Sequence, residues 1–291
     1  MTKAVDPAFR DLLADPRNAV RRPPKHIPME MVRAAAKAAM ATLPGPDINW
    51  QDCEVSGVRV RVYQPSNAPE ASAVVFFHGG GFVLGDLDTH DRMCRVLALA
   101  AHRRLVAVDY RRSPEASYPA AVDDGCCVVD WLSEALGVHD GAIALVGDSA
   151  GAHIALTAAL RRPAAVGQLS LIYPILDPAC ASVSAALFGD GFILTRDAMK
   201  WFWECYLAGQ HNPLECADFS VLPPTTVVTA GFDPLRDEGL ALADEIAAAG
   251  VAIIRRHYAA MIHGFAGMPH LTGAADEALA AVAADISTAL K

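Results

Sequence analysis

The chain has 291 residues, of which 53% are hydrophobic and 20% charged, with a formal net charge of -9. That balance describes a protein with a large buried core and excludes a disordered chain; the acidic excess repels polyanions and argues against nonspecific nucleic-acid binding. The length lies slightly above one ordinary domain, so a single domain carrying a cap is expected rather than two independent units.

The opening stretch MTKAVDPAFRDLLADPRNAVRRPPK has no continuous apolar run, so no secretory signal is expected, and a cytoplasmic protein is the default. No segment approaches the roughly 18 uninterrupted apolar residues of a membrane span. A helix is predicted around Pro28–Leu43, then a β-hairpin over Gln51–Gln64 turning at Gly57, with VRVRVY as its second strand. Short apolar runs follow at Ala73–Phe77, Arg104–Tyr110, Ala142–Gly147, Gln168–Tyr173, Thr225–Ala230 and Val251–Tyr258. Runs this apolar suit strands covered on both faces. Helical patterns lie between them at Thr89–His102, Pro119–Leu136, Ala150–Arg161 and Leu235–Ala249, the last stopped by Gly250. A final helix carries Leu279, Val282, Ile286 and Leu290 at helical spacing. This alternation predicts an α/β fold with a mostly parallel sheet between helices. The seven cysteines are odd in number and form no CxxC pair, so neither a zinc site nor a disulfide framework is signalled.

Two segments break the alternation: residues 1–45, and residues 177–222 with the aromatic stretch GFILTRDAMKWFWECYL. The second reads either as an ordinary amphipathic helix on the body or, together with the first, as a lid over a pocket.

The chemistry concentrates at strand ends. Gly147-Asp148-Ser149-Ala150-Gly151 lies between an apolar strand and the helix AHIALTAAL, where a GxSxG pentapeptide forms a nucleophile elbow. His78-Gly79-Gly80-Gly81-Phe82 follows the strand AVVFF. A bare glycine run serves either as a flexible loop or as a row of backbone N–H donors for an oxyanion, in which case the donors are Gly80, Gly81 and Ala150. A serine hydroxyl needs a base, and His263, in the loop after the last strand, is the candidate. His257 falls inside the strand pattern, and His153 lies within the helix after the serine. The acid belongs between serine and histidine in chain order. Asp233 directly follows the strand TTVVTA; Asp177 also follows a strand and is the alternative, whereas Asp237 and Glu238 fall in the first turn of a helix.

HGGGF, GDSAG, DPLRDEG and HGF in this order, with DYRRSPEASYPAAVDD between the first two, resemble the hormone-sensitive-lipase-like family of α/β-hydrolases, particularly its bacterial esterases. Arg112 and Ser113 depart from the family's commoner Leu-Ala before Pro114-Glu115. The resemblance covers nearly the whole chain. It implies an α/β-hydrolase fold with a triad of Ser149, Asp233 and His263 and an oxyanion hole of Gly80, Gly81 and Ala150. It further implies a cap of residues 1–45 and 177–222 over a catalytic domain of 46–176 and 223–291. The expected activity is that of a serine carboxylesterase on small-molecule esters of short or medium acyl chains, with no metal and no organic cofactor, as a monomer or homodimer. Phe202 or Trp203 is expected to shape the acyl pocket; Phe82 is either a pocket wall or a core residue.

Overall fold

The computed structural model of the protein describes residues 4–40 and 44–290. Strands β1 (Asn49–Val55), β2 (Val58–Gln64), β3 (Ala73–Phe77), β4 (Arg104–Val108), β5 (Ile143–Asp148), β6 (Val166–Ile172), β7 (Thr225–Phe232) and β8 (Ile253–Ile262) form one sheet. Their order is β1-β2-β4-β3-β5-β6-β7-β8. The hairpin β1–β2 and the pair β2–β4 are antiparallel, and the rest of the sheet is parallel.

Period-2 alternation along each strand separates two apolar layers. In β3, Val75 and Phe77 face one cluster with residues of α4 (Ala120–Leu136), α5 (Ala150–Arg161) and α8 (Arg236–Ala248). Val74 and Phe76 face the other, with α3 (Asp91–Ala101) and α9 (Ala274–Ala289). β3 and β5 are buried along their whole length, as strands sandwiched between helices must be. Most predicted elements stand within two residues of their expected bounds. Among the strands the largest shift is β8, which runs four residues further, so that His263 directly follows its end. The run Arg104–Tyr110 stops as a strand at Val108, and Tyr110 instead turns into the core.

The N-terminal segment holds two helices, α1 (Arg10–Ala14) and α2 (Met29–Ala39); the last residues of the predicted helix, 41–43, lie outside the described residues. The 177–222 segment contains α6 (Val183–Phe188) and α7 (Arg196–Leu207). The two segments meet each other: Val20 N–H donates to the Ile193 carbonyl at 2.7 Å, Thr195 Oγ1 donates to the Val20 carbonyl at 2.6 Å, and Arg22 pairs with Glu204 at 2.6 Å. No helix among the described residues is long and apolar enough to cross a membrane.

Candidate active site

Four parallel strands deliver side chains or loops to one edge of the sheet. β5 ends at Asp148, and Ser149 turns the chain into α5 with φ 54° and ψ -116°. A non-glycine residue in that region costs on the order of 1–3 kcal/mol and persists only where the surroundings enforce it. The enforcement is visible on both sides. Ser149 N–H donates to the Ile172 carbonyl of β6 at 2.8 Å. A Cβ on Gly151 would run into the Phe77 carbonyl of β3, and one on Gly147 into the Gly151 carbonyl. The flanking glycines are therefore what lets strand, turn and helix approach closely enough for the elbow.

His263 Nε2 lies 3.1 Å from Ser149 Oγ, and its Nδ1 lies 2.9 Å from Asp233 Oδ2. Asp233 is fully buried, and its second oxygen accepts the Leu235 N–H at 2.8 Å. Because a carboxylate only accepts, Nδ1 carries the proton and Nε2 is free to accept one from the serine. Tyr173 packs its ring edge-on to His263, with centroids 4.8 Å apart. The competing acids are engaged elsewhere. Asp177 caps its own turn by accepting from Ala179 and Ala181 N–H, and Asp237 accepts from Ser184 N–H at 2.7 Å. Glu238 accepts from Asp177 N–H at 2.9 Å. His257 bonds Thr229 Oγ1 at 2.9 Å between β7 and β8.

The glycine loop after β3 lies beside the elbow because β3 and β5 pair in register, Phe77 opposite Gly147. Its successive peptide planes are each pinned. The His78 carbonyl accepts from the Tyr110 hydroxyl at 2.7 Å, and Gly79 N–H donates to Asp148 Oδ1 at 2.8 Å. The Gly79 carbonyl accepts from His78 Nδ1 at 2.8 Å, and the Gly80 carbonyl from Leu84 N–H at 2.8 Å. In a trans peptide the following N–H points opposite the carbonyl. The N–H groups of Gly80 and Gly81 thus face away from these bonds, and neither they nor the Ala150 N–H have a partner among the described residues. Gly81 has φ 61° and meets the Phe202 ring of α7, with which an added Cβ would overlap.

Of the three predicted pocket residues, Phe202 abuts this loop at Gly81. Phe82 is 1% exposed and stacks on Tyr206 with centroids 3.9 Å apart. Trp203 lies with Phe82, Tyr206 and His153 in the same buried ring cluster. His153, fully buried there, has its imidazole pushed down to about 3 by burial. Among the described residues no group of three His, Cys, Asp or Glu has the arrangement to hold a metal ion.

Sequence reading missed Asp148, His90, Tyr110 and Tyr173. Asp148 is the variable position of GxSxG, and the other three stand outside any pentapeptide, so only their spatial contacts reveal them.

An eight-stranded, mostly parallel sheet with a serine on a strand-to-helix elbow defines the α/β-hydrolase class. A family profile for the alpha/beta hydrolase fold matches residues 74–267. The carboxylic ester hydrolase LipN of Mycobacterium tuberculosis is 37% identical, the match covering 83% of this chain and 71% of that protein. The esterase LipI of the same organism is 36% identical over 93% of this chain and 88% of its own length. The hyperthermophilic esterase from the archaeon Pyrobaculum calidifontis superimposes with a TM-score of 0.86 at 33% identity, covering 98% of this chain and 99% of that one. The chain belongs to the α/β-hydrolase family, in its hormone-sensitive-lipase-like branch.

Proposed function

We propose that the chain is a serine carboxylesterase acting on small esters of short or medium acyl chains through an acyl-enzyme. The observation that carries this reading is the continuous relay Asp233–His263–Ser149, with contacts of 2.9 and 3.1 Å, ending on a serine held in a strained elbow. The ester-hydrolysing relatives support the bond type.

His263 Nε2 takes the Ser149 proton as Oγ attacks the ester carbonyl. The carbonyl oxygen gains negative charge and is met by the N–H groups of Gly80, Gly81 and Ala150, preorganised donors that need no reorientation during the reaction. Asp233 stabilises the imidazolium and holds its tautomer. His263 then protonates the departing alkoxide, leaving Ser149 acylated. A water attacks the acyl carbonyl while giving its proton to His263, and collapse of the second tetrahedral species returns that proton to Ser149 Oγ and releases the acid. Residues 1–45 and 177–222 act in this reading as a cap over the site; the contacts between their described residues and the approach of Phe202 to Gly81 support that role.

Hydrolysis of p-nitrophenyl esters from acetate to dodecanoate, by the wild type and Ser149→Ala in parallel, tests the proposal. The expected result is turnover that peaks at short or medium chains and falls at least ~10³-fold in the variant. Equal rates in both would remove Ser149 as nucleophile. Inactivity of both, with both folded, would favour a ligand-binding protein on this fold.

A further inference from the structure

Asp148 sits immediately before the nucleophile and is 6% exposed. Its carboxylate is a strong acceptor for Gly79 N–H and so helps aim the glycine loop. A buried anion beside the place where an oxyanion must form also opposes that charge. The arrangement therefore serves acyl transfer only if the anion is compensated.

The compensation is in contact with it. His90, 6% exposed at the start of α3, brings Nε2 to 3.4 Å from Asp148 Oδ1, while its Nδ1 lies 2.9 Å from Thr89 Oγ1. Thr89 is itself tied to Asp86, whose N–H it accepts and whose carbonyl it reaches, each at 2.9 Å. Thr89 has one hydroxyl proton. If it goes to the Asp86 carbonyl, His90 Nδ1 must donate to Thr89; Nε2 then carries a second proton or faces the carboxylate with a bare lone pair. If it goes to His90 Nδ1, Nε2 carries the imidazole proton toward Asp148. Both favourable arrangements put an N–H on the carboxylate.

The other groups around Asp148 do not replace it. Burial, reinforced by the neighbouring His90, pushes the His78 imidazole down to about 3, so it stays neutral. Burial likewise keeps the hydroxyls of Tyr110 and Tyr173 and the Cys94 thiol protonated. Burial alone would raise the Asp148 carboxyl, but the neighbouring His90, with the Gly79 N–H, outweighs it and holds the group ionised.

We propose that His90 is a positioning residue for the oxyanion loop: its Nε2–H faces the buried Asp148 carboxylate and offsets its charge, so that the carboxylate can orient Gly79 without opposing the charge that develops on the substrate. This deepens the acyl-transfer reading and rests on it. It makes a signature that simple packing does not, because His90 matters only while Asp148 is charged.

The test is a double-mutant cycle of His90→Leu and Asp148→Asn, where the asparagine can still accept from Gly79 but carries no charge. Ester turnover is read beside the Ki of an alkyl trifluoromethyl ketone, which adds Ser149 Oγ to its carbonyl and leaves a hemiketal oxyanion in the hole. His90→Leu alone is expected to lower kcat about 10²-fold, with KM nearly unchanged, and to weaken the ketone in the same proportion. In the Asp148→Asn background the same change is expected to cost less than about threefold, and His90→Gln, which retains an N–H donor, to recover most of the activity. Additive losses, or a loss carried by KM with the ketone unaffected, would overturn the proposal. If His90→Leu fails to fold by itself, recovery of folding in the double variant supports the same assignment, and failure in both backgrounds overturns it. Ser149→Ala run alongside separates the two readings: undiminished turnover there removes the acyl-enzyme itself, independently of His90.

Discussion

Asp233 offers its two oxygens to two fixed donors, Leu235 N–H at 2.8 Å and His263 Nδ1 at 2.9 Å. In Asp233→Asn the amide oxygen retains the Leu235 bond, which turns the NH₂ toward His263. Nδ1 must then accept, the proton moves to Nε2, and the imidazole can no longer take one from Ser149. The expected outcome is a fall in kcat of about 10⁴-fold with a melting temperature within a few degrees of the wild type. Steady-state kinetics and thermal unfolding of the same preparation check it; near-normal turnover would move the acid to another residue. That Ser149, His263 and Asp233 come together was legible because each stands next to an apolar strand, and strand order limits which loops can meet. Asp148 was not legible as a loop clamp, since its partner Gly79 is 69 residues away in the chain and the contact exists only because β3 and β5 are neighbours.

Helix α7 places two adjacent aromatic residues in different surroundings. Phe202 meets Gly81, whereas Trp203 packs with Phe82, Tyr206 and His153. Both are about 3% exposed, so truncating either removes a buried ring and is expected to cost about 3–5 kcal/mol of stability. Their effects on substrate choice should differ. Phe202→Ala is expected to move the preferred acyl chain to greater length by opening space beside the glycine loop, and Trp203→Ala to leave the profile in place. The p-nitrophenyl ester series read on both variants decides this, and an unchanged profile in Phe202→Ala would take Phe202 out of the pocket. The aromatic content of the segment was visible in the sequence. Which ring faces the loop was not, because that depends on how α7 docks, and a one-residue rotation of about 100° separates wall from core. The short helices α1 and α6 also escaped sequence reading: five or six residues are too few for a 3.6-residue period to emerge.

For the whole molecule, two buried histidines weaken the fold toward acid pH. His78 and His153 are both pushed down to about 3, burial being the largest cause for each. The unfolded chain binds their protons near the ordinary value of about 6.5. Below that pH the unfolded state therefore holds more protons than the folded one. Their contribution to stability is complete above about pH 6.5 and is lost progressively as the pH falls toward about 3. Well inside that window each costs about 1.4 kcal/mol per pH unit. Asp52 acts in the same direction at lower pH: hydrogen bonding from Arg61 holds its carboxyl at about 2, so its share is lost between the ordinary aspartate value and about 2. Urea unfolding at pH 7, 6 and 5 is expected to show an early slope from these two histidines, with stability falling before Asp52 titrates; the Glu238 carboxyl, raised by burial, works in the opposite sense. His153→Leu should remove about half of that early slope; a slope unchanged by the substitution would mean that His153 is not the group responsible.

Local patterning by itself determined the α/β alternation, the positions of most strands and helices, the elbow serine and the loop location of its candidate partners. These follow from hydrophobic period and turn chemistry, which act over a few residues. Only the tertiary structure decided that Gly79 is clamped by Asp148, that His90 faces the same carboxylate, that Tyr110 leaves its strand to hold the His78 carbonyl, and that Phe202 rather than Trp203 lies against Gly81. Each depends on which strands lie side by side and on how a helix is rotated when it docks, quantities set by the packing of the whole core rather than by neighbours in the chain.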